Sequence, residues 1–347
     1  MHHITTTLLL FISGAAGGGL FYLVHLPLPW TLGPLTVMLA IKFLGKRSVR
    51  WPSALRNVSL MILGIVMGSP FNLATANKIL DQLPAIAGAT IVTIGVSLLI
   101  GYMTHRLTGI DLASSLLGSV PGGMTQMVLL SQELHKADAT VVVFMQTTRM
   151  LAVLFIVPFV ALHAFSDSTP LLVGAMPPAA VISYGEALLS VGIVAVGTAV
   201  AVRIGMPTPW MVGPIIATAA LVCTGVPSLP LPYWLIAVAQ ISTGIYLGST
   251  IEAVQMKHYN KPVLFTLVGA GGILACSFII GIALQSLLGY HLTTAFLGTA
   301  PGGIAEMGLT AMMIQADLSV VIAYQMFRLL FILLVLPFAL QWIFARI

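Results

Sequence analysis

Residues 262–288 pass without one charged side chain, and stretches of similar character recur along the whole chain. A helix rises 1.5 Å per residue, so about 20 apolar residues cross the roughly 30 Å hydrocarbon core of a bilayer. Nothing constrains this chain more. Hydrocarbon offers no partner to a backbone N–H or C=O, so only helices or closed barrels can span it. The short alternating segments of a barrel are absent. Of the 347 residues 59% are hydrophobic and 7% charged, against about 25% charged in a soluble domain. The sequence predicts an all-α polytopic membrane protein.

The formal net charge of +5 is small and scattered, so it does not point to nucleic acid. Cys223 and Cys276 both lie in apolar runs and read as packing residues rather than a disulfide or metal pair. The first segment, MHHITTTLLLFISGAAGGG, has the look of a signal peptide. It lacks a Lys/Arg n-region and aligns with an internal segment, so it reads as a retained first helix.

The chain is duplicated. GSVPGGMTQM at 118–127 recurs as GTAPGGIAEM at 298–307, LPWTLGP at 28–34 as TPWMVGP at 208–214, and LGIVMGS at 63–69 as TGIYLGS at 243–249, all offset by 180. Further on, ADATVVVFMQTTRM at 137–150 pairs with ADLSVVIAYQMFRL at 316–329. Residues 1–170 and 171–347 therefore read as two repeats. Each holds six apolar stretches: about 4–24, 30–45, 54–70, 84–104, a broken 110–132 and 138–164, then 186–203, 208–224, 232–250, 262–288, a broken 292–313 and 317–345.

Charge decides between parallel and inverted repeats. Lys42, Lys46, Arg47, Arg50 and Arg56 mark one loop as cytoplasmic. If the broken stretches span, seven Lys/Arg lie inside and five outside; if they turn back, eleven lie inside and only Lys78 outside. The expectation is two inverted-topology repeats of about five spanning helices, each with a discontinuous or re-entrant segment broken at Pro-Gly-Gly.

Pro121, Gly122 and Gly123 interrupt one stretch, and Pro301, Gly302 and Gly303 the other. Such breaks free backbone groups that only protein or a hydrated cavity can satisfy. The following half-helix points its first amides and its positive dipole end into the break, a ready anion site. Matching broken segments in two repeats point to a transporter's binding site; the plainer alternative is a kink absorbed by packing. Gln126 and Glu306 hold equivalent places just after the breaks. Glu306 reads as an ion- or proton-coupling group, with helix capping as the competing role.

Arg149 and Arg328 each lie 11 residues past the Asp of the AD motif, about 16 Å along a helix and near mid-bilayer. An arginine there costs on the order of 3 kcal/mol unless paired or hydrated. Gln146 and Gln325 precede them by three, on the same helical face. The set Pro121, Gly122, Gly123, Gln126, Gln146, Arg149, Pro301, Gly302, Gly303, Gln325 and Arg328 reads as binding a small carboxylate-like anion by forked guanidinium contacts. A permanent internal pairing, such as Glu306 with Arg328, is the alternative. Gly64/Gly68 and Gly244/Gly248 have the spacing of close helix packing, with ion coordination by unwound backbone as the second reading. The PWxxGP pair is expected to kink its helices and set Trp30 and Trp210 at an interface. No metal motif, nucleophile elbow, P-loop or dinucleotide fingerprint is present, so no catalytic residues, metal or cofactor are expected.

The doubled PGG, the AD and Gln-x-x-Arg motifs and the PWxxGP partners resemble the bacterial AbrB membrane-protein family over essentially the whole chain. Members often carry an ammonia monooxygenase or regulator label. The family looks like part of the cation:proton antiporter and anion transporter superfamily. The resemblance implies an alternating-access transporter in the bacterial inner membrane, and a homodimer by superfamily habit; the residues point to a small organic anion as substrate, coupled to H⁺ or Na⁺. A cation/proton exchanger, a membrane oxidoreductase and a non-transporting regulator remain as alternatives.

Overall fold

The computed structural model describes residues 2–45, 49–122, 124–133, 137–164, 182–251 and 260–344, with backbone alone at 2–4, 124–126, 129, 133, 260–262 and 341–344. Every regular element among them is a helix: α1 His2–Leu23, α2 Pro29–Gly45, α3 Ser53–Gly68, α4 Leu73–Asp81, α5 Leu83–Thr108, α6 Leu112–Ser119, α7 Met124–Glu133, α8 Ala139–Ala164, α9 Tyr184–Arg203, α10 Pro209–Cys223, α11 Tyr233–Thr250, α12 Asn260–Leu288, α13 Leu292–Thr299, α14 Ile304–Met313, α15 Leu318–Leu334 and α16 Leu336–Phe344. Five of them (α1, α5, α8, α9 and α12) are long and apolar enough to cross a membrane, and six spans result if α3 and α4, bent by 87°, count as one.

The duplication is written into the turns. α5 and α12 both end on a left-handed glycine, Gly109 at φ 75° and Gly289 at φ 70°, a conformation that glycine adopts without a Cβ penalty. The turns leading into α2 and α10 carry left-handed residues 180 positions apart, His25 and Leu28 against Gly205 and Thr208. Pro29 and Pro209 then open the two helices, where a missing N–H costs nothing.

Two compact units emerge, one of residues 1–80, 161–253 and 308–319, the other of 81–160, 254–307 and 320–347. Each draws on both sequence repeats. In the first unit small residues bring backbones together in matched pairs. Gly17 of α1 meets Gly33 of α2, and Gly197 of α9 meets Gly213 of α10. Gly64 and Gly68 of α3 face Met211/Pro214 and Ile215/Thr218 of α10, while Gly244 and Gly248 of α11 face Thr31/Pro34 and Leu35/Met38 of α2. The two glycine pairs are thus packing seams. Their ascending register means that α3 runs with α10, and α2 with α11. Lys42, in the last turn of α2, accordingly donates to the carbonyls of Ser249 and Ile251 at the end of α11. The start of α3 instead meets the C-terminal half of α11: Arg56 donates to the Tyr246 hydroxyl and the Leu55 carbonyl accepts from Ser242.

In the second unit Ile100 of α5 packs on Gly269 and Gly272 of α12. α6 lies on α5 through Gly101, and α13 lies on α12 through Gly281. Ser277 and Thr299 add reciprocal hydroxyl-to-carbonyl bonds of 3.1 Å between α12 and α13. Asp111 caps α6 by accepting the Ser114 N–H at 2.6 Å. The Ser114 hydroxyl accepts the Asp138 N–H at 2.7 Å, so the chain regains the start of α6 just as α8 begins. Further along, Gln146 of α8 reaches the Leu117 carbonyl of α6. The two helices therefore run side by side in one direction, and α7 doubles back between them. Leu117, Val120 and Met127 are buried here with Ile332 and Leu340 from the other repeat.

A Cβ on Gly244 would stand 2.3 Å from the Thr31 carbonyl oxygen, whereas one on Gly95 would meet nothing within 4 Å. Gly244→Ala should lower stability in detergent by about 1–3 kcal/mol through overpacking. Gly95→Ala should leave it unchanged or raise it by up to ~1 kcal/mol, by removing a flexible residue from a helix interior. Thermal unfolding of the two variants distinguishes a packing seam from a site of backbone coordination.

Candidate functional site: the paired helix breaks

The two breaks share one construction. α6 stops at Ser119, Val120 turns extended at φ −71°, ψ 132°, and the Gly122 N–H donates back to the Val120 carbonyl at 2.8 Å. α13 stops at Thr299, Ala300 takes φ −58°, ψ 139°, and Gly302 donates to Ala300 at 2.8 Å. Each is an inverse γ-turn centred on proline, whose ring fixes φ close to the value such a turn needs. Pro121 and Pro301 therefore shape the breaks as well as ending the helices. Met127 and Met307 lie over Gly122 and Gly302, where a Cβ would collide with them.

The last carbonyls of α6 and α13 have no partner within their own helices. The Gln-x-x-Arg pairs supply one. Arg149 Nη1 donates to the carbonyls of Gly118, Ser119 and Val120 at 3.2, 2.9 and 2.8 Å, and its Nη2 to Gln146 Oε1 at 2.6 Å. Gln146 Nε2 donates in turn to Leu117 and Val120 at 2.7 and 2.9 Å. In the second repeat Arg328 Nη1 donates to Thr299 and Ala300 at 3.2 and 2.6 Å, and Nη2 to Gly302 and Gln325 at 2.8 and 2.5 Å. Gln325 Nε2 completes the set on Leu297, Gly298 and Ala300 at 2.8, 3.2 and 3.0 Å. The Arg328 guanidinium thus bridges the break, from the end of α13 to the residue before Gly303. A positive charge at a helix C-terminus is also favoured by the dipole. Arg149 and Arg328 are each 5% exposed and repel one another electrostatically.

Glu306 is 7% exposed in the first turn of α14. Its carboxylate accepts its own backbone N–H and lies so close to Gly303 that a Cβ there would overlap it. Capping geometry and a buried ionisable group are therefore combined in one side chain. Among the described residues the buried charged side chains are Arg149, Arg328 and Glu306, and all three belong to the second unit.

The structure brings Pro121, Gly122, Gln146 and Arg149 together at one break, and Pro301, Gly302, Gly303, Glu306, Gln325 and Arg328 at the other. Gly123 and the Gln126 side chain lie outside the described residues. The Nη donors of both arginines are engaged by carbonyls and glutamine, so their main contacts are with the breaks themselves. Sequence reasoning missed the Val120 and Ala300 carbonyls, because every residue has a carbonyl and none is marked by its letter. Met127 and Met307 were detectable as a matched pair in the repeat alignment.

A family profile described as "Transition state regulatory protein AbrB" matches residues 30–344, and the chain belongs to that family. It is 26% identical over 343 residues to the uncharacterized protein YhjN of Bacillus subtilis strain 168, covering 93% of this chain and 89% of the relative. It is 25% identical over 320 residues to the protein of Escherichia coli strain K12 named "Putative regulator AbrB", covering 91% of this chain and 90% of the relative.

Gln325→Leu leaves the carbonyls of Leu297, Gly298 and Ala300 short of a donor and should cost roughly 1–3 kcal/mol. Arg328→Lys keeps the charge but lacks the planar fork that reaches Ala300 and Gly302 together, and should destabilise to a similar extent. Unfolding midpoints in detergent measure both. A lysine variant as stable as the parent would mean that charge alone, and not the fork, holds the break.

Proposed function

We propose that this AbrB-family protein is a secondary transporter of a small, singly charged organic anion such as a carboxylate, coupled to H⁺ or Na⁺. One observation carries the reading: among the described residues, two guanidiniums and a single carboxylate are buried at the paired helix breaks. That arrangement bears a net charge of +1 with Glu306 ionised and +2 with it protonated. Discontinuous helices in repeated halves are where transporters bind substrate and coupling ion. Buried ionisable groups in a membrane protein are retained at such sites despite their cost.

Alternating access follows from inverted repeats. α2 runs with α11 and α3 with α10, while the start of α3 meets the C-terminal half of α11; an antiparallel α3 and α11, with α2 and its repeat counterpart α10 pointing in opposite directions, fits these contacts. With α7 doubling back, and if the shorter α2 and α3 cross beside α1, α5 and α8, five spans would precede the second repeat, in keeping with the same reading. Eleven Lys/Arg then face the cytoplasm of a bacterial inner membrane and one the far side.

Exchange of a cation for protons on the same fold is the second reading, and Glu306 favours it. The two fixed arginines oppose it, because a cation would have to enter an already positive site. The regulator name of the Escherichia coli relative fits an indirect effect of transport on gene expression.

Protonating Glu306 adds positive charge beside Arg328, so the anion should bind more tightly as pH falls, and anion binding should take up protons in return. Thermal unfolding in detergent with small carboxylates, amino acids and inorganic anions, at varied pH and Na⁺, tests this. A ligand at a hundredfold excess over its Kd raises stability by about 2.7 kcal/mol. Glu306→Gln should retain an anion response and lose its pH dependence. A response to pH or Na⁺ alone, with no anion active, would favour cation exchange.

A further inference from the structure

The first acidic residue of the chain is Asp81, and before it Lys42, Arg50 and Arg56 gather at one end of the first unit. All three belong to a segment seated on the C-terminal half of α11. Lys42 donates to the Ser249 and Ile251 carbonyls, a helix end whose dipole favours a cation. The Arg56 guanidinium lies over the Tyr246 ring, 5.0 Å from its centroid, and Nη1 donates to the Tyr246 hydroxyl. Its Nε and Nη2 donate to Asn57 Oδ1. Arg50 stands between two anchors: Val49 is buried with Met38, Ile241 and Ile245, and the Trp51 indole donates to Ser242 Oγ at 3.0 Å. The backbone is pinned on either side while Arg50 itself is exposed. Among the described residues Arg56 has only neutral partners and Arg50 has none. Beyond α11, Glu252 is outnumbered in sequence by Lys257 and Lys261. Phe43, Leu44, Leu55 and Val58, beside these cations on α2 and α3, are exposed as well, Leu44 to 85%.

A soluble anion would satisfy the guanidiniums and leave that hydrocarbon in water. A partner that carries both a phosphate and acyl chains satisfies both. We propose that the end of α2, the start of α3 and the last turns of α11 form a seat for an anionic phospholipid. Its phosphodiester meets the open fork of Arg50, Arg56 adds a second positive charge, and its chains cover the exposed apolar residues of α2 and α3. An arginine fork matches two phosphate oxygens, and basic groups at a helix end beside a bilayer attract anionic headgroups. Lys42 is committed to the α11 carbonyls and holds the seat together. This seat belongs to the first unit, whereas the helix breaks belong to the second, and it stands independently of transport.

The full chain in uncharged detergent is titrated with phosphatidylglycerol, with phosphatidylcholine of the same chains, and with inorganic phosphate, and thermal unfolding is followed. Phosphatidylglycerol should stabilise wild type with an apparent Kd roughly tenfold or more below that of phosphatidylcholine. Inorganic phosphate at the same concentration should have no effect. Arg50→Gln removes a side chain that bonds to nothing described, so its lipid-free unfolding should match wild type. Its apparent Kd for phosphatidylglycerol should rise about fivefold, the effect of one cation near an anionic surface. Arg203→Gln removes an exposed arginine from the last turn of α9; it controls for overall charge and should stay within about twofold of wild type. An unchanged Kd in Arg50→Gln, an equal loss in Arg203→Gln, or equal stabilisation by the two lipids overturns the assignment. A response to inorganic phosphate as large as that to phosphatidylglycerol makes the ligand a soluble anion and overturns the lipid.

Discussion

Two carbonyl oxygens, those of Val120 and Ala300, hold the second unit together at its breaks. Each accepts three donors: the N–H of the glycine two residues on, a glutamine amide and an arginine Nη1. Without the side-chain donors, the last turns of α6 and α13 would present bare carbonyls to an apolar interior, at roughly 1–3 kcal/mol each. The fork of arginine suits the task because one plane can meet several carbonyls that fan out from a helix end. A pair of half-helices can therefore stop inside an apolar interior, where nothing but the protein can satisfy their backbone.

The same interaction limits what the arginines can do for a ligand. Their Nη groups are committed to the protein, so in the proposed transporter they would serve an anion as fixed charge and as positioning groups for the half-helices. The protein thus has rigid positive charge that remains in place when the site is empty, and one carboxylate, Glu306, whose protonation can change the balance. Fixed cations with a single adjustable anion form a simple physical basis for coupling an anion to a proton.

Much of this was legible in the letters. The 180-residue duplication, the breaks at Pro121 and Pro301, the shared face of Gln146 with Arg149 and of Gln325 with Arg328, and the small-residue seams at Gly64 and Gly244 all follow from composition and spacing. What the letters withheld were partners. A glycine pair announces close approach but not that α3 should choose α10, because that choice depends on surfaces far apart in sequence. An arginine announces a need for acceptors but not that they are backbone carbonyls. The return of α7 was favoured by the Lys/Arg count, but the contact that closes it, the Asp138 N–H on the Ser114 hydroxyl, joins two ordinary residues that no pattern marks. The interleaving of both repeats in each unit is likewise a property of pairing and not of pattern.

Flux through the reconstituted protein tests the central claim most directly. Proteoliposomes would be loaded and diluted to impose an inward proton or Na⁺ gradient, and uptake of radiolabelled small monocarboxylates would be followed with and without ionophore. The account predicts accumulation of at least one anion that collapses when the gradient is dissipated and is absent from protein-free vesicles. Proton release driven by an external cation, with no anion entering under any gradient, would contradict it.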